Sequence, residues 1–227
     1  MNQILHWAVV LTVVIVVSVA CSTSKSAPQS SPSGSPVASQ SSTPLSTLPV
    51  SATTSCTLKM SEAPVIRGLK LGMTVEEVLA VFPGSKDDAE LHSTLSKPPG
   101  RFGNSSFLIT PSKYGSAANY KDVSRINISL LDGRVSSFTV NYVSRQSPSV
   151  DKFIEKFNEG KNLPPPDQWE PYPGMDTQMK TLTCNGFSIR IFDGGEGANL
   201  DYVLVEDLEA DKTLKDRRKK AREQASP

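Results

Sequence analysis

Histidine occurs twice in the 227 residues and cysteine three times, and neither is arranged to hold a metal. His6 lies in an apolar N-terminal run, which leaves His92 as the only histidine beyond it. No Cys-x-x-Cys pair is present, so the ligand spacing of structural zinc sites is excluded. The chain also lacks Gly-x-Ser-x-Gly, a P-loop, a dinucleotide-binding glycine fingerprint and the spaced acids of a calcium loop. Excess charge of one sign is missing too: 24 Lys and Arg against 23 Asp and Glu leave +1, which gives no overall field to attract nucleic acid. Hydrophobic residues make up only 37% of the chain, so part of it is expected not to pack. These gaps point to a protein that is not an enzyme and uses no cofactor or metal.

What is present begins with an address. Ile4 to Ala20 is apolar almost throughout and is followed by Cys21 and a Ser/Thr/Pro-rich segment. Two readings fit the run: a signal peptide, or an uncleaved anchor slightly short of a full bilayer core. Its end, Val17-Ser18-Val19-Ala20-Cys21, resembles a bacterial lipobox, which implies cleavage before Cys21 and acylation of that residue. Residues 22–55 have no aromatic side chain and few large aliphatics, too little apolar surface to offset the entropy of ordering them. They read as a disordered tether. The expected location is extracytoplasmic and membrane-anchored, on the periplasmic or surface side of a bacterial envelope. There Cys56 and Cys184 are a candidate disulfide, with two separate buried thiols as the alternative.

The folded part opens with a complete helix signal. Thr74 is an N-cap with Glu77 three residues later for a capping box, and Met73 and Val78 are placed for a hydrophobic staple. Val75, Val78, Leu79 and Phe82 share one face, and Pro83-Gly84 ends the helix. Val150, Phe153, Ile154 and Phe157 repeat that pattern, each 75 positions after its counterpart. Strands follow both helices. Residues 105–110 form one, and residues 124–143 form a hairpin about Asp132-Gly133. A G1 bulge at Gly133 is expected there, because it places Ile126, Ile128, Leu130, Phe138, Val140 and Tyr142 on one face. A second hairpin turns at Asn185-Gly186, with Leu182, Cys184, Phe187, Ile189 and Ile191 inward, and residues 199–208 supply a further strand.

The stretch Ile66–Gly84, with Gly72-Met73-Thr74 before the helix, resembles the opening motif of the BamE (SmpA/OmlA) lipoproteins. The tandem arrangement resembles the double α/β repeat of β-lactamase inhibitory proteins. The resemblance implies an α+β fold with helices packed on antiparallel sheet. The expected plan is 1–20 signal peptide or anchor, 21–55 tether, 56–145 first repeat, 146–207 second repeat, and 208–227 basic helix and tail.

Four segments are candidates for recognition or chemistry. Trp169 and Tyr172 sit among prolines and offer rigid contact area to a protein partner, unless Trp169 folds back over the sheet. Arg217, Arg218, Lys219 and Lys220 form a basic cluster, either a solvated helix end or a contact for an anionic envelope surface. His92 reads as a solvent-facing loop residue, and Asp193–Asp201 as a Gly-rich connector rather than a calcium site. The favoured function is a non-enzymatic envelope lipoprotein acting through protein contacts, held to a membrane by its lipid or N-terminal anchor. A module binding a small ligand or glycan is the alternative.

Overall fold

The structure is a computed structural model that describes residues 56–143, 146, 148–175, 177–194 and 201–225. The apolar run, Cys21 and the tether lie outside the described residues, so their expected roles stand as expectations. The described residues belong to one compact unit, residues 50–227.

Helix α1 (Val75–Val81) starts at the capping box. The Glu77 carboxylate accepts from the Thr74 N–H at 2.7 Å, and the Thr74 hydroxyl accepts from the Glu77 N–H at 3.3 Å. Phe82 closes the helix, and Gly84, at φ +93°, makes the turn that follows. A second short helix, α2 (Ala89–Leu95), is capped by the Asp88 carboxylate on the N–H groups of Glu90 and Leu91. It places His92 on a helix rather than in a loop. Only Leu91 of its seven residues is buried, which leaves almost no periodicity to read. Strand β1 (Asn104–Ile109) precedes the hairpin of β2 (Val123–Leu131) and β3 (Arg134–Tyr142). Helix α3 (Val150–Asn158) is capped by Ser149 and buries Val150, Phe153, Ile154 and Phe157. Then come β4 (Glu170–Pro171), β5 (Met179–Thr183), β6 (Phe187–Phe192), β7 (Tyr202–Asp207) and α4 (Leu208–Ala225).

All seven strands form one antiparallel sheet in the order β1-β2-β3-β7-β6-β5-β4, so the class is α+β. The two halves join edge to edge, β3 against β7, from Ser137–Glu206 to Asn141–Tyr202. In the β2–β3 hairpin the bulge is real but lies elsewhere. Leu131 pairs with Arg134 across a two-residue turn in which both Asp132 and Gly133 have positive φ, at 50° and 79°. The extra residue is Ser136, passed over between the pairs Leu130–Val135 and Ser129–Ser137. This restores the register that buries Ile126, Ile128, Leu130, Phe138, Val140 and Tyr142 together. A turn of the mirror-image type matches strand twist, so the hairpin keeps it and absorbs the slip inside β3.

One apolar core runs under both halves and contains Val78 and Phe82 of the α1 region with Phe153 and Phe157 of α3. The N-terminal arm is fastened to it. Cys56 and Cys184 form a disulfide, the Asn185 N–H donates to the Leu58 carbonyl at 2.9 Å, and Leu58 and Met60 pack against the core. Gly186, at φ +105°, lies under Met60, whose Cβ would be 3.4 Å from any added methyl. The sheet edges are guarded: α2 flanks β1, and β4 is two residues long with Pro171. Helix α4 lies against the outward face, since the pocket beneath it is lined by Ser106, Ser129, Ser137 and Glu206, alternate to the core positions. Arg217 pins its middle with a bidentate pair to Asp132 at 2.7 and 2.9 Å and a bond to the Phe102 carbonyl at 2.8 Å.

Candidate functional site

Alternation along β6 and β7 turns Arg190, Phe192, Tyr202 and Leu204 away from the core. Phe192 and Tyr202 are direct cross-strand partners with stacked rings, 5.1 Å between centroids. The Arg190 guanidinium lies 5.2 Å from the centre of the Tyr172 ring, a cation–π distance. Tyr172 is 39% exposed, one of four large hydrophobic side chains left in solvent among the described residues. Arg190 Nε and the Thr181 hydroxyl, opposite each other across β5–β6, are buried without a hydrogen-bond partner among the described residues. Such groups cost about 1–3 kcal/mol each unless something supplies the bond. This face therefore combines rigid aromatic surface with a guanidinium stacked on one of its rings.

A second site is a cleft of about 170 Å³ where the loop before α1 meets α3. Arg67 stands at its rim in an unusual backbone state. The Ile66–Leu69 turn gives Arg67 φ 51° and Gly68 φ 93°, and a side chain as long as arginine is uncommon at such a position. The guanidinium makes a bidentate pair with Asp122 at 2.5 and 2.6 Å and donates to the Asn119 carbonyl at 2.7 Å. The Tyr120 hydroxyl donates to the Arg67 carbonyl at 2.5 Å, and burial pushes the Tyr120 pKa to about 12. Lys161 also lines the cleft. Its ammonium donates to the Phe157 carbonyl at 2.5 Å and lies 4.7 Å from the Phe157 ring centre. Burial lowers its pKa; Glu159 raises it and Arg67 lowers it further.

The Arg67 hydrogen bonds hold the Asp122 carboxyl below its ordinary pKa. Its contribution to stability is thus complete above the unfolded aspartate value, about 3.9, and is lost as pH falls through the lower folded value. Asp122→Asn should flatten the acid limb of a plot of thermal midpoint against pH. The remaining slope comes in part from Asp88, lowered chiefly by the Leu91 N–H, and Asp132, lowered by Arg217. Parallel curves for the two proteins would exclude this role for Asp122.

The residues singled out in the sequence fall in separate places. Trp169 is 2% exposed and its indole donates to the Pro164 carbonyl at 3.0 Å, so it is a core residue and not a contact residue. The same carbonyl accepts from Asn158 at 2.7 Å, which fixes the proline loop against α3. Tyr172 is on the open face. Arg217 pairs with Asp132 and the Phe102 carbonyl, which fastens α4, and its side chain remains 38% exposed. Arg218, Lys219 and Lys220 are exposed along the last turns of α4. The His92 ring contacts the Lys86 carbonyl. Asp201 is fully buried and accepts from the backbone N–H groups of Gln146 and Gly194, which is loop anchoring; residues 195–200 lie outside the described residues. Cys56 and Cys184 are joined, with Cα atoms 4.6 Å apart.

Sequence reasoning missed Arg67, Lys161 and Arg190. The outward position of Arg190 was readable from the hairpin alternation, but its ring neighbour Tyr172 comes from a segment with no periodic signal. Comparison with known proteins adds nothing to this geometry: no family model, curated protein or solved structure matches the chain.

Proposed function

We propose that the protein is a non-enzymatic, membrane-tethered module of the bacterial cell envelope that binds another protein through the open face of its sheet. The observation that carries this reading is the cluster of Tyr172, Arg190, Phe192 and Tyr202 on a face that the core does not use. Aromatic and arginine side chains dominate the energetic centres of protein interfaces. The Cys56–Cys184 bridge suits an oxidising compartment, and the lipobox-like end of the apolar run suits a lipid anchor on Cys21.

Within this reading the domain is a tandem of BamE-like units. The palindromic strand order supports it, since β1-β2-β3 and β5-β6-β7 run outward from the β3–β7 junction in mirror sequence. The 75-residue offset between the two apolar helix faces supports it as well.

A photoreactive amino acid placed at Tyr172 in the tethered protein should crosslink to a defined partner in isolated membranes. Arg190→Glu should abolish the adduct, and the same probe at Lys220 should not form it. Adducts from the Lys220 position alone, or adducts indifferent to Arg190→Glu, would shift the contact surface to α4.

A further inference from the structure

Among the described residues, the cleft beside Arg67 is lined by more cations than carboxylates. Three cations line it: Arg67, Lys156 and Lys161. The one carboxylate lining it is Asp122, and both its oxygens are engaged by Arg67. Lys156 has only long contacts of 3.5 Å to the carbonyl and side-chain oxygens of Gln146. Lys161 bonds the Phe157 carbonyl and no carboxylate among the described residues. Glu159 is the one acid that acts on Lys161 among the described residues, and burial outweighs its attraction. The depressed pKa of Lys161 reflects the same burial.

The bland reading of each residue accounts for only part of this. Lys161 does cap the last turn of α3, and a lysine there favours the helix dipole. Capping, however, needs only a solvent-exposed lysine and no cleft. Nor does it explain why Arg67 occupies a left-handed position in a turn that asparagine or glycine fills more easily. That turn sets the guanidinium at the rim, where Asn119 and Asp122 lock it in place.

The remaining walls are apolar: Val65, Ile66, Phe153 and Phe157. Val65 is 53% exposed, so hydrophobic surface lies open at the mouth. Burial also raises the Tyr142 hydroxyl to about 12, so Tyr142 meets a guest as a neutral phenol and adds no negative charge. The volume of about 170 Å³ is close to that of cavities that hold a benzene ring, about 150 Å³.

We propose that this cleft binds a small organic anion, its carboxylate or phosphate head held by Lys161 and Lys156 beside Arg67, and its short apolar group against Val65, Phe153 and Phe157. This binding is separate from the protein contact at the sheet face and stands or falls without it. The head sits where three cations line the cleft against one carboxylate among the described residues, and the ring or alkyl group replaces water on the apolar walls.

Benzoate, phenyl phosphate and neutral benzyl alcohol, titrated into the isotope-labelled full chain and followed by backbone amide shifts, test the proposal. At least one anion should saturate near millimolar concentration, with shifts confined to residues 65–68 and 153–161, and benzyl alcohol should bind about tenfold more weakly or not at all. Saturation by benzoate alone assigns a carboxylate guest, by phenyl phosphate alone a phosphate guest, and by both a site that reads charge. Lys161→Met should weaken the anions about tenfold while leaving benzyl alcohol unaffected. If Lys161→Met does not fold, Lys156→Gln carries the same comparison, and Arg218→Gln, remote on α4, should bind as the unaltered protein does. Absence of saturation, equal binding of benzyl alcohol, or unchanged anion binding in the folded lysine variant each overturns the proposal.

Discussion

Loss of the Cys56–Cys184 bridge should cost the domain about 5 kcal/mol. The two cysteines are 128 positions apart, and removing the cross-link returns that loop's entropy to the unfolded chain, about 5 kcal/mol at 25 °C on a chain-entropy account. The folded state contributes in the same direction. Cys184 is 6% exposed in the core, and the bridge holds the arm whose Leu58 and Met60 cover its second half. Urea unfolding of the oxidised protein, of the reduced protein and of the double variant Cys56→Ser/Cys184→Ala measures the loss. A difference under about 1 kcal/mol would mean that the arm is held by its packing and the Asn185–Leu58 hydrogen bond alone.

Phe82→Ala is the second large effect, about 3–5 kcal/mol. Phe82 is fully buried where α1 ends, its ring 5.2 Å from that of Tyr120 and 6.3 Å from that of Tyr114. Truncation removes the transfer energy of the ring, leaves a cavity and strips both tyrosines of a neighbour. Because Phe82 shares its core with Phe153 and Phe157, the whole domain should shift in one transition. Tryptophan fluorescence, to which buried Trp169 in the second half contributes, should move with far-UV circular dichroism. If the fluorescence transition stays in place while the dichroism splits, the halves unfold separately and the continuous core has no energetic meaning.

Much of the architecture was legible because local chemistry and burial agreed. Thr74 and Glu77 signal a helix start and form one, and the apolar faces at Val78 and Phe153 are the faces that pack. The β2–β3 register was readable for a different reason: hydrophobic alternation fixed which residues share a face, although nothing local marked Ser136 as the extra residue. Helix α2 escaped because a seven-residue helix with one buried side chain has no period to detect. That the two halves share a core is expected from units too small to stand alone, but which strands join, β3 and β7, escaped because edge pairing between distant strands leaves no trace at either site.

The candidate sites were less legible than the fold. Trp169 and Tyr172 lie three positions apart in the same proline-rich segment, yet one is buried and the other solvent-facing. Composition cannot separate them; the Pro164 carbonyl that captures the indole does. Arg217 looked like its basic neighbours until Asp132 and Phe102 arrived from 85 and 115 residues away. Arg67 carried no signal beyond the Gly68 that follows it.

The strand order has a consequence for how the chain assembles in time. The final strand, Tyr202–Asp207, is inserted between β3 and β6 and, among the described residues, links the two hairpins in the sheet. During synthesis, β3 and β6 thus remain open edges until Tyr202–Asp207 has emerged, and no vectorial order of folding can seal them sooner. The pairing that closes the sheet spans more than 60 residues, as Asn141 with Tyr202 shows, so it belongs to the slow, non-local class of contacts. A chain halted before Tyr202 would expose two adhesive strand edges at once, each a template for another copy. The last six residues of the sheet therefore cover both inner edges at once.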